Sequence, residues 1–400
     1  MKLISKNPGT FFILGFFTLL AVEVLAVYYI MPMPGSQNGN HVELSYTINR
    51  NIWPPRILST ILMLASLWFI MKARPVWKMV PAVVGSLFIG SVFYLTNFIM
   101  RADKMFYQPT VKRMWPLGKN QIENERLVLG ITVGGESRAY PLNIIAYHHE
   151  IRDSIAGRPI IVTYCSVCRT GRVFSPIVNG KVETFRLVGM DQFNALFEDS
   201  ETKSWWRQAT GECVAGPLKG SCLQEIPTQQ TTLAVWESMY PATLVLQADN
   251  LFSKEYNALK GFDNGTSKGG LTGTDTVAGK PKSWVIDVTY NGSEKIYEWN
   301  ILKQKRIIQD TLGNVFPLLI IEPDNLSFHV FNRMVNGSVL QFAYDEHTVT
   351  LTDTSGSVWN LKGDCLSGPF QGKNLHLLSA YQEFRHSYMS FHSTAAIYKP

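Results

Sequence analysis

Two cysteines separated by two residues, Cys165 and Cys168, are the strongest chemical signal in this sequence of 400 residues. They lie in the run Tyr164-Cys165-Ser-Val-Cys168-Arg-Thr-Gly171. A pair at this spacing can be a redox dithiol, in which one thiolate is the nucleophile and the two sulfurs close a small disulfide. It can also supply two ligands to a metal ion, or form a permanent structural disulfide. The spacing alone leaves these three alternatives open.

A histidine and an acid, His149 and Glu150, precede this pair and are candidates for the same site. In a thiol enzyme, His149 would assist proton transfer or tune a thiolate, and Glu150 would orient the imidazole. In a metal site, Cys165, Cys168 and His149 would be the ligands, because the chain has no second Cys-x-x-Cys pair. Copper or zinc would accept two thiolates and an imidazole.

The elements that must position these residues occur twice along the chain, which indicates an internal repeat. Residues 131–143 align without gaps with residues 288–300. Both segments have the pattern strand, glycine turn, strand, which predicts a hairpin. Residues 211–220 match residues 363–372, and each of these segments contains a Gly-Pro pair.

Only the first copy carries the candidate site. The second copy has Lys305-Arg306-Ile307 where the first has His148-His149-Glu150, and it has no cysteine at the position of the pair. The strands and the Gly-Pro segment are present in both copies, so folding does not require the cysteines or the histidine. We therefore expect the first copy to bear the function and the second to be its structural partner.

Short apolar runs after residue 104 predict a β-rich α+β fold, internally duplicated and pseudo-symmetric. The two longer helical stretches are expected at 142–151 and 233–240. The expected domains are a membrane anchor over 1–104, a first repeat over 105–252 and a second repeat over 282–400. Residues 253–281 are expected to be a connecting loop, because they are rich in Gly, Thr and Ser.

Three apolar stretches near the N-terminus are long enough to cross a bilayer, which requires about 20 apolar residues. They cover about 11–31, 55–71 and 79–100. The first stretch contains one charged residue, Glu23. A carboxyl group in lipid is costly, so Glu23 is expected either to pack against a polar partner or to serve a function.

The distribution of basic residues predicts the orientation in the membrane. Lys2 and Lys6 precede the first span, and the short second connection contains Lys72, Arg74 and Lys78. The positive-inside rule places both segments in the cytoplasm, and three crossings then place the folded part outside. Basic residues just after the third span favour the opposite orientation. The expected location is the cell (inner) membrane, with the lipid bilayer as the first partner.

Composition and motifs exclude several classes of protein. The net charge of +6 is scattered without a basic run, so no nucleic-acid partner is expected. Five cysteines are too few for a disulfide scaffold of this length. The sequence contains no phosphate-binding loop, dinucleotide fingerprint, haem-attachment motif or serine nucleophile elbow.

Together these residues resemble the bacterial family called domain of unknown function 3179, over about residues 112–400. The motifs that carry the resemblance are Arg138-Ala-Tyr-Pro141, His149-Glu150, Val162-Thr-Tyr-Cys165-x-x-Cys168, Asp199-x-x-Thr202-x-Ser204-x-Trp206-x-Gln208 and Gly216-Pro217-Leu-x-Gly220. The resemblance implies a bacterial or archaeal protein, often exported or membrane-linked. Some relatives are selenoproteins, which implies reactive rather than static sulfur at the cysteine pair. This chain departs from the pattern by adding Cys213 and Cys222, and by having three spanning helices.

The leading prediction is a membrane-anchored, extracytoplasmic thiol oxidoreductase with Cys165, Cys168, His149 and Glu150 as its catalytic residues. Its redox partner is not indicated by the sequence. One alternative is a copper- or zinc-binding module that uses Cys165, Cys168 and His149 and exchanges metal with a partner. Another alternative is a non-enzymatic binding protein with a structural disulfide.

Overall fold

A computed structural model describes residues 2–399, and these fall into two compact units. The first unit runs to Tyr107 and also includes Thr184–Cys222. The second unit contains Gln108–Glu183 and the chain from Leu223 onward. Residues 105–252, expected as one repeat, are thus divided between the two units.

The longest helices belong to the apolar segments near the N-terminus. The α-helices are α1 (Lys2–Lys6), α2 (Pro8–Tyr28), α3 (Val42–Arg50), α4 (Trp53–Ala73), α5 (Val76–Tyr94), α6 (Ala102–Met105), α7 (Leu142–His148), α8 (Leu233–Met239), α9 (Ser253–Ala258), α10 (Trp299–Lys305) and α11 (Arg385–Phe391). A π-helical turn, Leu95–Ile99, continues α5. Short 3-10 turns occupy Leu117–Lys119 and Asn250–Phe252.

The remaining chain contains many short strands. The strands are β1 (Met114–Pro116), β2 (Leu127–Val133), β3 (Glu136–Pro141), β4 (Glu150–Ile155), β5 (Arg158–Cys165), β6 (Thr170–Phe174), β7 (Ile177–Val178), β8 (Lys181–Val182), β9 (Phe185–Asp191), β10 (Asn194–Asp199), β11 (Trp205–Arg207), β12 (Cys213–Ala215), β13 (Glu225–Ile226), β14 (Gln229–Thr232), β15 (Leu244–Leu246), β16 (Trp284–Tyr290), β17 (Ser293–Glu298), β18 (Ile307–Gln309), β19 (Pro317–Ile321), β20 (Phe328–Asn332), β21 (Met334–Val335), β22 (Ser338–Val339), β23 (Phe342–Asp345), β24 (Thr350–Asp353), β25 (Val358–Asn360), β26 (Cys365–Ser367), β27 (His376–Leu377), β28 (Ala380–Phe384) and β29 (Ala396–Ile397). The chain is therefore α+β, with three apolar helices ahead of a β-rich part.

Three helices of the first unit are long and apolar enough to cross a membrane: Pro8–Tyr28, Trp53–Ala73 and Val76–Ile99. The first two begin a few residues before the expected bounds of 11 and 55. Both carry proline in their first turn, where the ring's fixed φ suits a helix start and its missing N–H is not needed.

Close helix packing in the first unit depends on a small residue in α2. A Cβ at Gly15 would lie 2.9 Å from Met63 Cγ and 3.0 Å from the Ser59 carbonyl oxygen on α4. Small residues allow such approach between apolar helices, where packing rather than water drives association. Buried side chains of α2, α4 and α5 then form a common core that includes Phe12, Met63 and Ile89.

A four-stranded sheet, in the order β12-β11-β10-β9, belongs to the same unit as these helices. Met190 on β9 donates its N–H to the carbonyl oxygen of Ile30, just beyond the end of α2, at 2.9 Å. Trp205 on β11 meets the Tyr46 ring edge-on at a centroid distance of 5.3 Å. This hydrogen bond and this aromatic contact join the sheet to α3 and to the residues that follow α2.

Gly189→Ala is expected to loosen this sheet from α2. The new Cβ would collide with the Ile30 carbonyl oxygen and approach its Cβ to 2.9 Å. Overpacking of this kind costs about 1–3 kcal/mol. We expect lower thermal stability of the full chain in detergent and faster amide exchange in β9. Gly118→Ala is the matched control, because its Cβ would meet nothing within 4 Å. Equal stability of the two variants would contradict this account.

Two hairpins organise the second unit, at the places where the sequence predicts them. Strands β2 and β3 pair antiparallel and turn through Gly134 and Gly135, both of which have positive φ. Strands β16 and β17 pair in the same way and turn through Asn291 and Gly292. Each hairpin leads into a seven-residue helix, α7 or α10.

The strand order is similar after each hairpin. One sheet has the order β1-β15-β3-β2-β14 and another β28-β16-β17-β29. Strand β3 pairs in parallel with β15, and β17 pairs in parallel with β29. After the helices, β4, β5 and β6 form a meander with β13, and β18, β19 and β20 form one with β27. The hairpin containing the cysteines is the β5–β6 pair.

Two expectations about this unit need correction. The segment 253–281 is not a loop throughout, because α9 occupies Ser253–Ala258 and buries Tyr256. The helix expected at 142–151 ends at His148, since His149 adopts a left-handed conformation and β4 begins at Glu150. The apolar residues that continue this pattern, such as Ile151, belong to a buried strand.

Candidate functional site

The two cysteines lie at the turn of the β5–β6 hairpin. Cys165 is the last residue of β5 and pairs with Thr170, the first residue of β6. Cys168 is in the four-residue turn between them, 166–169. The turn closes through Arg169, whose φ is 59°. The hairpin geometry thus brings Cys165 and Cys168 close to one another.

Both cysteines are buried, with exposed fractions of 2% for Cys165 and 0% for Cys168. The Cys168 carbonyl oxygen accepts a hydrogen bond from the Phe384 N–H at 2.9 Å, which holds the turn against the end of β28. Across the hairpin, Tyr164 packs over Gly171, where a Cβ would lie 2.9 Å from its ring. A larger residue than glycine at 171 would displace the ring beside the cysteines.

His149 binds the backbone immediately before Cys165. The His149 carbonyl oxygen accepts the Tyr164 N–H at 3.0 Å, and its ring Nδ1 lies 2.8 Å from the Tyr164 carbonyl oxygen. A carbonyl only accepts, so Nδ1 carries the proton and the lone pair is on Nε2. Burial lowers the pKa of His149 to about 4, so the imidazole is neutral at pH 7.

Glu150 is the first residue of β4 and is almost wholly buried. One carboxylate oxygen accepts a hydrogen bond from Arg152 Nε at 2.6 Å. The other, Oε2, has no hydrogen-bond partner among the described residues. Burial raises the pKa of Glu150 to about 7, although Arg152 acts in the opposite direction. The Glu150 carboxylate accepts its hydrogen bond from Arg152, whereas the tautomer of His149 is set by the hydrogen bond that its Nδ1–H donates to the Tyr164 carbonyl oxygen.

The pKa of His149 is lowered and the pKa of Glu150 is raised, which predicts that the two residues change the stability of the fold in opposite directions as pH changes. Because the pKa of His149 is lowered from 6.5 to about 4, the contribution of this residue to the free energy of unfolding is lost as pH falls through that interval. Because the pKa of Glu150 is raised from 4.5 to about 7, the contribution of this residue to the free energy of unfolding is lost as pH rises through that interval. Between pH 4.5 and 6.5 the two effects oppose each other.

Glu150→Gln removes one of these two effects. Relative to the unchanged protein, we expect the variant to gain up to about 3 kcal/mol in unfolding free energy between pH 4.5 and pH 8. The measurement is urea unfolding of the full chain in detergent at several pH values, with Glu136→Gln, an exposed residue, as control. If the difference in unfolding free energy between Glu150→Gln and the unchanged protein stayed constant with pH, it would contradict the raised pKa of Glu150.

The metal alternative receives no support from the arrangement of side chains. Within residues 2–399 no group of three or more His, Cys, Asp or Glu side chains is placed to hold a metal ion. His149 Nδ1 is engaged by the Tyr164 carbonyl, which leaves only Nε2 as a possible ligand atom. Cys165, Cys168 and His149 are accordingly not such a group within residues 2–399.

A buried arginine, Arg169, directly follows the second cysteine and was not among the predicted site residues. Arg169 is 1% exposed and donates to the Phe262 carbonyl at 2.6 Å and the Asp263 carbonyl at 2.8 Å. Its guanidinium carbon lies 3.6 Å from the centroid of the Trp284 ring. A positive charge therefore sits next to the cysteine turn. Two features of the sequence could have indicated Arg169: its neighbour Cys168, and the apolar Leu326 at the matching position of the expected second repeat.

Polar atoms without partners surround Arg169. Its Nε donates to Gln382 Oε1 at 3.1 Å, while Gln382 Nε2 has no hydrogen-bond partner in the described chain. The Tyr164 hydroxyl and Asp263 Oδ1 are likewise buried without a hydrogen-bond partner among the residues that the structure describes. Unsatisfied buried groups are costly, and several together indicate a place for water or for a polar ligand group.

A second buried arginine, Arg172 on β6, joins the hairpin to the strands that follow. It lies 3.3 Å from Glu225, 3.4 Å from Asp287 and 3.2 Å from Glu383. Burial raises the pKa of Asp287 to about 8, and burial also raises the pKa of Glu383. One guanidinium does not offset two buried carboxylates, so this pair retains a proton near neutral pH.

Comparison with known proteins identifies a family. A search of curated proteins and a search of solved structures each gave no match. The family model described as "Protein of unknown function (DUF3179)" matches residues 107–395, which is well over half of the chain and includes the cysteine hairpin. The chain belongs to this family.

Proposed function

We propose that this protein is a membrane-anchored thiol oxidoreductase in which Cys165 and Cys168 exchange electrons with a disulfide of a partner protein. The observation that carries the proposal is the closeness of the two cysteines at a hairpin turn beside a buried arginine. In the reaction, one thiolate attacks the partner's disulfide and forms a mixed disulfide. The second thiolate then releases the partner as a dithiol, so two electrons and two protons leave Cys165 and Cys168.

The surroundings of the cysteines supply the charge and the base that such a step needs. A nearby cation favours the thiolate, and Arg169 directly follows Cys168. A neutral imidazole whose Nδ1 is a donor offers Nε2 as a proton acceptor, which is the state of His149. His149 would take the thiol proton, and Arg169 would stabilise the sulfur anion that remains.

Access to the sulfurs requires a movement of the segment that holds Phe262 and Asp263. Arg169 donates to both carbonyl groups, and the Phe262 ring meets Tyr164 edge-on at 5.9 Å. This segment belongs to the connection between the two hairpin systems and is rich in glycine. We propose that it opens to admit a partner and closes to exclude bulk solvent.

The proposal includes an internal duplication in which only one copy is reactive. It is supported by equivalent hydrogen bonds in the two copies. Asp199 accepts from Trp206 Nε1 at 2.9 Å, and Asp353 accepts from Trp359 Nε1 at 3.0 Å. The thiol of Cys213 donates to the carbonyl two residues later, and Cys365 does the same. These two cysteines would then serve the fold.

We place the reactive part outside the cytoplasm of a bacterial cell. The support is the basic second connection, which contains Lys72, Arg74 and Lys78 and favours the inner side. Disulfide chemistry is also favoured in that compartment, because the cytoplasm keeps thiols reduced.

The test is reduction of a disulfide by the purified full chain in detergent. The reduced protein is mixed with a fluorescent peptide pair joined by one disulfide, and release of the dye is followed. We expect one disulfide cleaved per protein, with loss of two thiols that map to Cys165 and Cys168. No cleavage by a folded, reduced protein would overturn the proposal.

A further inference from the structure

The first unit contains a second candidate site, unrelated to the cysteines. A cavity of about 540 Å³ lies among the ends of α2, α4 and the π-helical turn, and the sheet β9–β11 also lines it. Its inner end is the ion pair of Glu23 and Arg56, joined at 2.6 and 2.7 Å. Thr96 and Asn97 also donate to the Glu23 carboxylate.

The cavity has an excess of positive charge. Six basic side chains line it against three acids, and each acid already has a cationic partner. Glu23 pairs with Arg56, Asp103 with Arg101, and Glu198 with Arg186. The remaining cations, which have no carboxylate partner in the described part of the chain, are Arg50, Lys104 and Lys203. An anion entering here would meet uncompensated positive charge.

Arg56 offers a donor at the inner end of the cavity. Its Nε and Nη2 bind Glu23, and Nη2 also binds the Asn97 side-chain oxygen at 2.8 Å. Its Nη1 donates to no other group among residues 2–399. The guanidinium is held between the rings of Trp53 and Phe93, at 5.4 and 5.2 Å from their centroids. This fixed donor suits a phosphate oxygen.

An apolar groove continues from the cavity along the membrane helices. The groove has a volume of about 470 Å³ and shares Trp53, Arg56 and Phe93 with the cavity. The remainder is mainly apolar and includes Leu19, Ile57, Ile61 and Ile89, with the hydroxyl-bearing Thr60 and Ser86. Gly90 also lines it, and a Cβ there would meet nothing within 4 Å, so the groove has open space.

From this continuity, we infer that the first unit binds a membrane lipid with an anionic phosphate headgroup. The headgroup would occupy the cationic cavity, and one acyl chain would occupy the groove. An amphiphile matches both regions at once, because the charge lies at one end and the apolar groove at the other. The three helices could span a membrane, which would expose the groove to lipid.

The test measures lipids retained by the full chain. The protein is reconstituted in nanodiscs of phosphatidylcholine with a minority of phosphatidylglycerol, extracted in mild detergent and weighed by native mass spectrometry. We expect retained phosphatidylglycerol to exceed its share of the bilayer. Lys104→Gln and Lys203→Gln should each lower its retention about fivefold. Lys219→Gln, an exposed residue outside the cavity, should not.

A second pair of variants tests the acyl groove without altering charge. Gly90→Leu fills the groove and should lower retention of phosphatidylglycerol. Ser91→Leu adds the same side chain at an exposed neighbour outside the groove and should leave it unchanged. Retention in proportion to bilayer composition would overturn the inference. Equal retention by the two leucine variants, or full displacement by inorganic phosphate, would show a headgroup-only site and also overturn it.

Discussion

Cys168→Ser is expected to stop disulfide exchange by the full chain and to leave its fold intact. Serine is nearly the same size as cysteine and fits the turn, but a hydroxyl can neither attack a disulfide nor form one. The same loss is expected for Cys165→Ser. Whichever variant retains the attacking thiol should accumulate a mixed disulfide with the peptide substrate, which a mass measurement would detect.

Cys365→Ser is the matched control for these variants. Cys365 is also buried in a strand of the second unit, and its thiol donates to the Ser367 carbonyl, as a serine hydroxyl could. Its exchange rate should equal that of the unchanged protein. Normal exchange by Cys168→Ser would exclude the dithiol mechanism. Failure of Cys168→Ser to fold, with Cys365→Ser intact, would indicate a structural bridge.

Arg172→Ala should destabilise the second unit more than any other single change considered. The Arg172 guanidinium pairs with Asp287 and Glu383. Its removal leaves both carboxyl groups buried without this ion pair. Breaking a buried ion pair on one side costs about 3–5 kcal/mol. Arg158→Ala, an exposed arginine on the adjacent strand β5, should cost little. Urea unfolding in detergent at pH 7 would measure both.

The effect of Arg172→Ala should depend on pH. The pKa of Asp287 is raised from 3.8 to about 8, so its stability contribution is present below pH 3.8 and is lost as pH rises through 8. Without Arg172, ionisation of the two buried carboxyl groups is even less favourable. The free energy of unfolding should therefore fall more steeply as pH rises. The difference between variant and unchanged protein should therefore shrink toward pH 4. A loss of equal size at pH 4 and pH 7 would contradict the electrostatic explanation.

The sequence predicted the parts of the site that follow from local pattern. The cysteine spacing and the hairpins around two glycine turns depend on residues close in the chain, and the contrast between the two expected repeats needs only the alignment of two segments. Their neighbours in sequence carry enough information to place them on strands and turns. His149 was identified from that contrast, although its contact with the Tyr164 carbonyl depends on the β4–β5 pairing register.

The remaining site residues were missed because their contacts are long-range. Arg169 meets Phe262 and Gln382, which are 93 and 213 positions away in sequence. Phe262 lies in a segment whose glycine content predicted only a connecting loop. No periodic pattern of apolar residues in either segment predicts such a long-range contact. Likewise, the assignment of β9–β12 to the unit of the three apolar helices depends on long-range contacts.

The central claim is a reversible bond between Cys165 and Cys168, and a redox titration tests it most directly. The full chain in detergent is equilibrated with mixtures of reduced and oxidised glutathione, quenched with acid, alkylated and mapped by mass spectrometry. The account predicts a loss of two hydrogens, confined to the peptide containing both cysteines, with one shared midpoint. Two thiols that stay reduced throughout, or a bridge that persists in excess reductant, would contradict it.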